Sequence, residues 1–159
     1  MVRCRETNLG DFCADAYRII TGADLAVVNG GGIRASLPAG DITYGDFLNV
    51  HPFGNTICVV ECSGQEILDM LEMAYASVEA EYEDADGPVG ESGGFMQVSG
   101  MKLTIDTSIP STVCLDENGM FASVSGRRRV TDVQVLNAQT EQYEDIDSEK
   151  TYTLAANNY

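Results

Sequence analysis

The chain has 159 residues, nine Lys and Arg against 25 Asp and Glu, a formal net charge of −16 and 44% apolar residues. That length suits one domain and that apolar share supports a packed core rather than disorder. The acidity argues against nucleic acid or an anionic membrane surface as the main partner, because both need clustered cations.

No apolar run approaches the roughly 18–20 residues of a membrane span. The opening Met-Val-Arg-Cys-Arg-Glu carries no apolar stretch of the signal-peptide kind. Apolar residues at Leu9, Phe12, Cys13, Ala16, Tyr17 and Ile20 predict a helix over residues 9–20, with Thr7 or Asn8 as cap and Gly22 as stop. Leu25-Ala26-Val27-Val28 reads as a short buried strand running into Asn29-Gly30-Gly31-Gly32-Ile33-Arg34. Thr43 to Val50 predicts a short helix capped by Thr43 with Asp46 at the third position. Thr56 to Cys62 is apolar and β-branched, a strand pattern, and Ser63-Gly64-Gln65-Glu66 is a capping box ahead of a helical stripe from Ile67 to Val78. Residues 79–94 are acidic and glycine-containing and read as a mobile, solvated loop. Strands are predicted over Phe95 to Ile105, interrupted at Gly100, over Val130 to Leu136 and over Tyr152 to Ala156, with Asn137-Ala138-Gln139 as a turn. The order predicts a mixed α/β or α+β domain.

Three constellations stand out. The glycine turn suits close approach of a ligand or positive φ, and Arg34 at its exit is a planar cationic fork for phosphate or carboxylate. Neither a dinucleotide fingerprint nor a phosphate loop with Lys-Ser/Thr is present, so a plain structural turn and a ligand loop both stay open. Arg3 and Arg5 are two of only nine cations, readable as surface charge beside Glu6, while Arg127-Arg128-Arg129 reads as a solvated hairpin tip. In His51-Pro52-Phe53-Gly54-Asn55, Phe53 is either a core plug or a stacking surface, and His51, the one histidine, has no obvious partner.

Reacting groups are missing. One histidine supports no Ser-His-Asp set, and no HExxH motif or metal-holding Asp/His cluster occurs. The cysteines, Cys4, Cys13, Cys58, Cys62 and Cys114, form no CxxC pair. Cys58 and Cys62 on one strand lie about 13 Å apart, too far for a disulfide. All five read as small buried hydrophobes.

Five motifs occur in a fixed order: Arg3-x-Arg-Glu-Thr-Asn-Leu-Gly10, Asn29-Gly-Gly-Gly-Ile-Arg34, Pro52-Phe-Gly-Asn55, Gly94-Phe-Met-Gln-Val-Ser-Gly100 and Arg129-Val130. Together, from Arg3 to Tyr159, they resemble the C-terminal domain of the 5′-nucleotidase family, which includes bacterial UDP-sugar hydrolases and 2′,3′-cyclic-nucleotide phosphodiesterases. The resemblance implies a mixed sheet with flanking helices and a parent of two domains. Its N-terminal metallophosphatase domain would bind two divalent metal ions and do the hydrolysis. Nothing in these 159 residues matches that domain, so the chain alone is expected to be inactive, with no catalytic or metal-ligating residue of its own.

By the resemblance, Arg3 and Arg34 reach the substrate phosphate, Asn29 and Gly32 line the base pocket, and Phe53 is the first of two aromatics that sandwich the base, with Asn55 beside it. Tyr159 takes the second stacking position. The family's following GGDG stretch, whose Asp binds ribose hydroxyls, does not follow here, so a truncated clamp with a frayed Tyr159 and weak binding is expected. The implied partners are a nucleotide or nucleoside and the N-terminal domain, with no nucleic acid and no membrane insertion. The implied setting is periplasmic, secreted or cell-surface. The rival reading is a non-catalytic nucleoside-binding or interaction module on the same fold.

Overall fold

The computed structural model describes residues 1–79 and 90–159. In chain order the elements are α1 (Asn8–Thr21), β1 (Leu25–Asn29), a 3-10 turn at Gly30–Gly32, α2 (Tyr44–Val50), β2 (Ile57–Ser63), α3 (Gly64–Ala74), β3 (Met96–Ser99), β4 (Met101–Ile105), β5 (Val113–Leu115), β6 (Phe121–Val124), β7 (Val130–Asn137), β8 (Gln142–Asp145) and β9 (Thr151–Asn157). The mixed α/β reading holds. A four-stranded sheet runs β2-β9-β1-β3, with β1 parallel to β9 and the outer pairs antiparallel. A three-stranded sheet runs β4-β7-β8, and β5 with β6 makes a separate hairpin.

Local chemistry sets the helix ends. Thr7 accepts the Gly10 N–H at 3.1 Å and Gly22, at φ 68°, returns its N–H to the Arg18 carbonyl. Thr43 with Asp46 and Ser63 with Glu66 form complete capping boxes. In each, the carboxylate accepts hydrogen bonds from its cap residue and is held below its ordinary pKa.

The sheet presents two faces because strand side chains alternate. Leu25 and Val27 of β1 join Ile67, Leu71 and Tyr75 of the α3 region, Phe95, and Tyr152 and Leu154 of β9 in the main core. Tyr75 and Phe95 meet edge to face at 4.9 Å between ring centroids. Met101, Val130, Val133 and Val135 carry the same core into the second sheet. On the opposite face α1 covers Val28 with Cys13 and Ala14.

The α1 stripe differs from the predicted one. Gly10, Cys13 and Ala14 are the residues it buries, while Phe12 and Ile20 are 52% and 77% exposed. Small side chains turned inward let the helix lie close to the sheet: a Cβ at Gly10 would fall 2.0 Å from Gln97 Oε1. Arg18 Nε donates to Ser99 Oγ at 2.8 Å, and that hydroxyl donates to Asp15, which locks the helix rotation.

The arginine triplet is also corrected. Arg127 is exposed, but Arg128 pairs with Asp69 and donates to the Leu68 carbonyl at 3.0 Å. Arg129 is buried and donates from Nη1 to the carbonyls of Tyr75 and Ala76 at 3.0 and 2.8 Å. The fully buried carboxylate of Glu72 accepts the N–H groups of Arg129 and Val130 at 2.9 and 3.0 Å. The guanidinium thus takes up carbonyls at the end of α3, which stops at Ala74 rather than at Val78.

Of the five cysteines, all free, only Cys13 is buried; Cys58 is exposed on the edge strand β2 and the others are half-buried. Strands β5, β6 and β8 were not predicted. Most of the expected acidic loop, residues 80–89, lies outside the described residues.

Candidate functional site

Strands β1 and β9 are parallel, so their C-terminal ends emerge side by side. The glycine turn leaves β1 there, and Asn157 of β9 donates from Nδ2 to Asn29 Oδ1 at 2.8 Å. Asn29 in turn donates from its own Nδ2 to the Gly93 carbonyl at 3.3 Å. The amides of Gly30 and Gly31 donate to the carbonyls of Phe95 and Gly93 at 2.7 and 2.9 Å. These bonds fix the segment before β3 against the turn.

The glycines serve approach rather than positive φ, which none of Gly30, Gly31 and Gly32 adopts. A Cβ at Gly30 would sit 2.1 Å from the Val2 carbonyl, so only glycine lets the N-terminal segment cross the turn. That crossing brings Arg3 to the same place, held by the Ser92 N–H donating to the Arg3 carbonyl at 2.8 Å.

From the other side, α2 delivers the Pro52-Phe53-Gly54-Asn55 loop. The Arg34 N–H donates to the Val50 carbonyl at 2.9 Å, tying the exit of the glycine turn to the end of α2. Phe53 is 60% exposed, so it is not a core plug. The Arg34 guanidinium carbon lies 5.8 Å from the Phe53 ring centroid, within cation–π range. Its Nη1 also donates to the Gly31 carbonyl at 3.4 Å. At the far end of β9, the Asn158 N–H donates to the Thr56 carbonyl and the Thr56 N–H to Asn158 Oδ1, both at 3.0 Å. The exposed Tyr159 follows directly.

Arg3, Asn29, Gly32, Arg34, Phe53, Asn55 and Tyr159 all line one cleft of about 660 Å³. Gly31 of the glycine turn, Gly93, Gly94 and Met96 complete its wall; none of the four was among the predicted site residues. Gly94 and Met96 lie in the fourth motif, which was the available signal. Among the described residues no carboxylate forms an ion pair with Arg3 or Arg34. A neighbouring cleft of about 710 Å³ shares Arg34 but has no second arginine.

His51 does have a partner: its Nε2 lies 3.3 Å from Cys13 Sγ, and its ring centroid is 6.3 Å from that of Tyr17. Burial pushes its pKa down, outweighing a hydrogen bond to the Gly32 main chain that raises it. Burial also pushes the Cys13 thiol up to about 11, which removes it as a nucleophile near neutral pH. The cleft itself offers cations, aromatic faces and main-chain groups, a set able to hold an anion beside a flat apolar moiety. Among the described residues no group of three or more His, Cys, Asp and Glu is placed to hold a metal ion.

The model of the 5′-nucleotidase C-terminal domain matches residues 1–159. The chain belongs to the 5′-nucleotidase C-terminal domain family. Among its relatives is the trifunctional nucleotide phosphoesterase YfkN of Bacillus subtilis, 35% identical over 162 residues, covering 99% of this chain and 9% of that protein. A 5′-nucleotidase of Vibrio parahaemolyticus is 36% identical over 152 residues, covering 96% of this chain and 25% of its own length. The crystal structure of a 5′-nucleotidase precursor from Thermus thermophilus superposes with a TM-score of 0.74 at 37% identity, covering 99% of this chain and 26% of that one. The chain therefore spans between about a tenth and a quarter of these relatives. Within this 5′-nucleotidase C-terminal domain, no helix among the described residues is long and apolar enough to cross a membrane.

Proposed function

We propose that this domain binds the nucleotide substrate of a 5′-nucleotidase-like phosphohydrolase, in the cleft between the glycine turn and the Phe53 loop. Phe53 and Tyr159 stack the base from its two sides, Asn29, Gly32 and Asn55 border it, and Arg3 with Arg34 take the phosphate. The observation that supports this most is the meeting, in one cleft of a chain with a net charge of −16, of an exposed phenylalanine and two arginines that have no carboxylate partner among the described residues.

Each group has a defined task. A phosphate accepts paired hydrogen bonds from a guanidinium, and charge-assisted bonds contribute about 1.5–3 kcal/mol each. A base stacked on an aromatic ring gains about 1–3 kcal/mol. The overall negative charge does not defeat this, since salt screens distant charges over about 8 Å while the two arginines act at contact. The domain supplies binding and orientation. Hydrolysis of the phosphate ester belongs to a metallophosphatase domain with two divalent ions, and the parent works outside the cytoplasm, as the family resemblance implies. On its own this domain hydrolyses nothing.

Calorimetric titration with adenosine and AMP tests the reading. Binding of both is expected, tighter for AMP and weakened about tenfold or more by Phe53→Ala. Affinity unchanged by Phe53→Ala would remove the stacking role. Protein-dependent AMP turnover on adding Mn²⁺ or Zn²⁺ would contradict the assignment of hydrolysis to another domain.

A further inference from the structure

His51 occupies a junction that the proposed binding roles leave unexplained. Its main chain lies two residues before Phe53. Its Nε2 meets Cys13 of α1 at 3.3 Å, its ring packs near Tyr17, and it donates a hydrogen bond to the main chain of Gly32 on the cleft wall. One imidazole thus links the glycine turn on one side to α1 on the other. A neutral imidazole has one N–H donor and one bare nitrogen acceptor. Donation to Gly32 uses the first and leaves Nε2 to accept the Cys13 thiol.

We infer that His51, as the neutral Nδ1–H tautomer, is a positioning residue of the cleft, bridging the Gly32 carbonyl and the Cys13 thiol and so setting the distance between the glycine turn and the Phe53 ring. The inference rests on the nucleoside-binding reading for its effect on affinity, but its structural content does not. Protonation would convert Nε2 into a donor facing a thiol, and the bridge to α1 would fail. Among the described residues, the ionisable side chains in contact with the ring are Cys13 and Tyr17, both on α1, and the contact with the glycine turn is to the Gly32 main chain. Burial raises the titration of both Cys13 and Tyr17, so neither of them changes charge as the pH falls from neutrality. The consequence is an affinity that falls on acidification in step with the imidazole.

Because the chain has one histidine, its ring nitrogens can be read directly by long-range ¹H–¹⁵N spectroscopy. The expected result for the ligand-free chain at pH 7.5 is a single Nδ1–H tautomer, with the Gly32 and Phe53 amide signals moving at the imidazole's own midpoint on acidification. An Nε2–H tautomer, or Gly32 and Phe53 amides that ignore the imidazole, would overturn the inference whether or not any nucleoside binds. Adenosine titrations supply the functional arm. His51→Leu should weaken binding about threefold to tenfold, the worth of one hydrogen bond. His51→Gln, which keeps one donor and one acceptor, should restore the affinity and abolish its pH dependence. A purely structural role would leave His51→Gln with the wild-type pH profile, and that outcome would also count against the inference. Loss of adenosine binding by wild type at every pH would refute the nucleoside reading while leaving the tautomer and amide results to decide the role of His51.

Discussion

Replacing Arg129 by Met removes a buried cation and leaves its surroundings in place. The Ala76 carbonyl loses its guanidinium donor, while the Tyr75 carbonyl keeps the Val78 N–H at 3.1 Å. Each buried carbonyl left unpaired costs about 1–3 kcal/mol. The nearby Glu72 carboxylate keeps its two main-chain N–H donors. The expected loss is about 1–3 kcal/mol, a sizeable share of the 5–15 kcal/mol typical of a domain, with a fall in Tm of about 3–10 °C. The damage should reach the cleft, because Tyr75 donates its hydroxyl to the carbonyl of Met96, a cleft-lining residue, at 2.7 Å. Urea denaturation followed by circular dichroism gives the number, with exposed Arg127→Met as control, expected within about 0.5 kcal/mol of wild type. A loss below about 1 kcal/mol for Arg129→Met would refute the reasoning, because it would mean that water or a shifted side chain satisfies the Ala76 carbonyl at no cost.

Gly30→Ala pushes against the Val2 carbonyl and displaces Arg3, so titrations should show AMP affinity falling more than adenosine affinity; equal losses would contradict the placement of Arg3. Thr43 holds the Asp46 carboxyl below its ordinary 3.8, so the folded state binds that proton less readily than the unfolded chain. This contribution is complete above pH 3.8 and is lost as pH falls through the lower folded value. Asp46→Asn should therefore flatten the acid limb of a stability-against-pH curve, and an unchanged limb would show that the capping box is not formed in solution. Five free thiols should titrate with a chromogenic disulfide in denaturant, whereas in the native chain Cys58 should react first and Cys13 last. Rapid native labelling of Cys13 would contradict its burial under α1.

Much of this architecture was readable in the sequence alone. Thr7, Thr43 and Ser63 announced their helices because a cap is a local device, chosen within four residues. Gly100 announced a break for the same reason, and it adopts φ 75° between β3 and β4. The α1 rotation was not readable, since it depends on Gln97 and Ser99, which lie more than 80 residues away. Nor was the role of Arg129, whose neighbours suggested a solvated run; a buried arginine is set by what α3 leaves unpaired. Strands β5, β6 and β8 are short and largely exposed, so no apolar alternation marks them. For the cleft, the motif order singled out seven residues that the fold gathers around one cavity, although bare spacing left Phe53 open between plug and platform. The partner of His51 was hidden because Cys13 is 38 positions away.

The central claim is that one cleft holds a base and a phosphate together. Titrating wild type, Phe53→Ala and an Arg3→Ala/Arg34→Ala double variant with adenosine and AMP by calorimetry tests it most directly. The account predicts that the arginine variant loses the preference for AMP while keeping most of its adenosine affinity, and that Phe53→Ala weakens both ligands alike. Equal binding of adenosine and AMP by wild type, or an AMP preference that survives loss of both arginines, would contradict it.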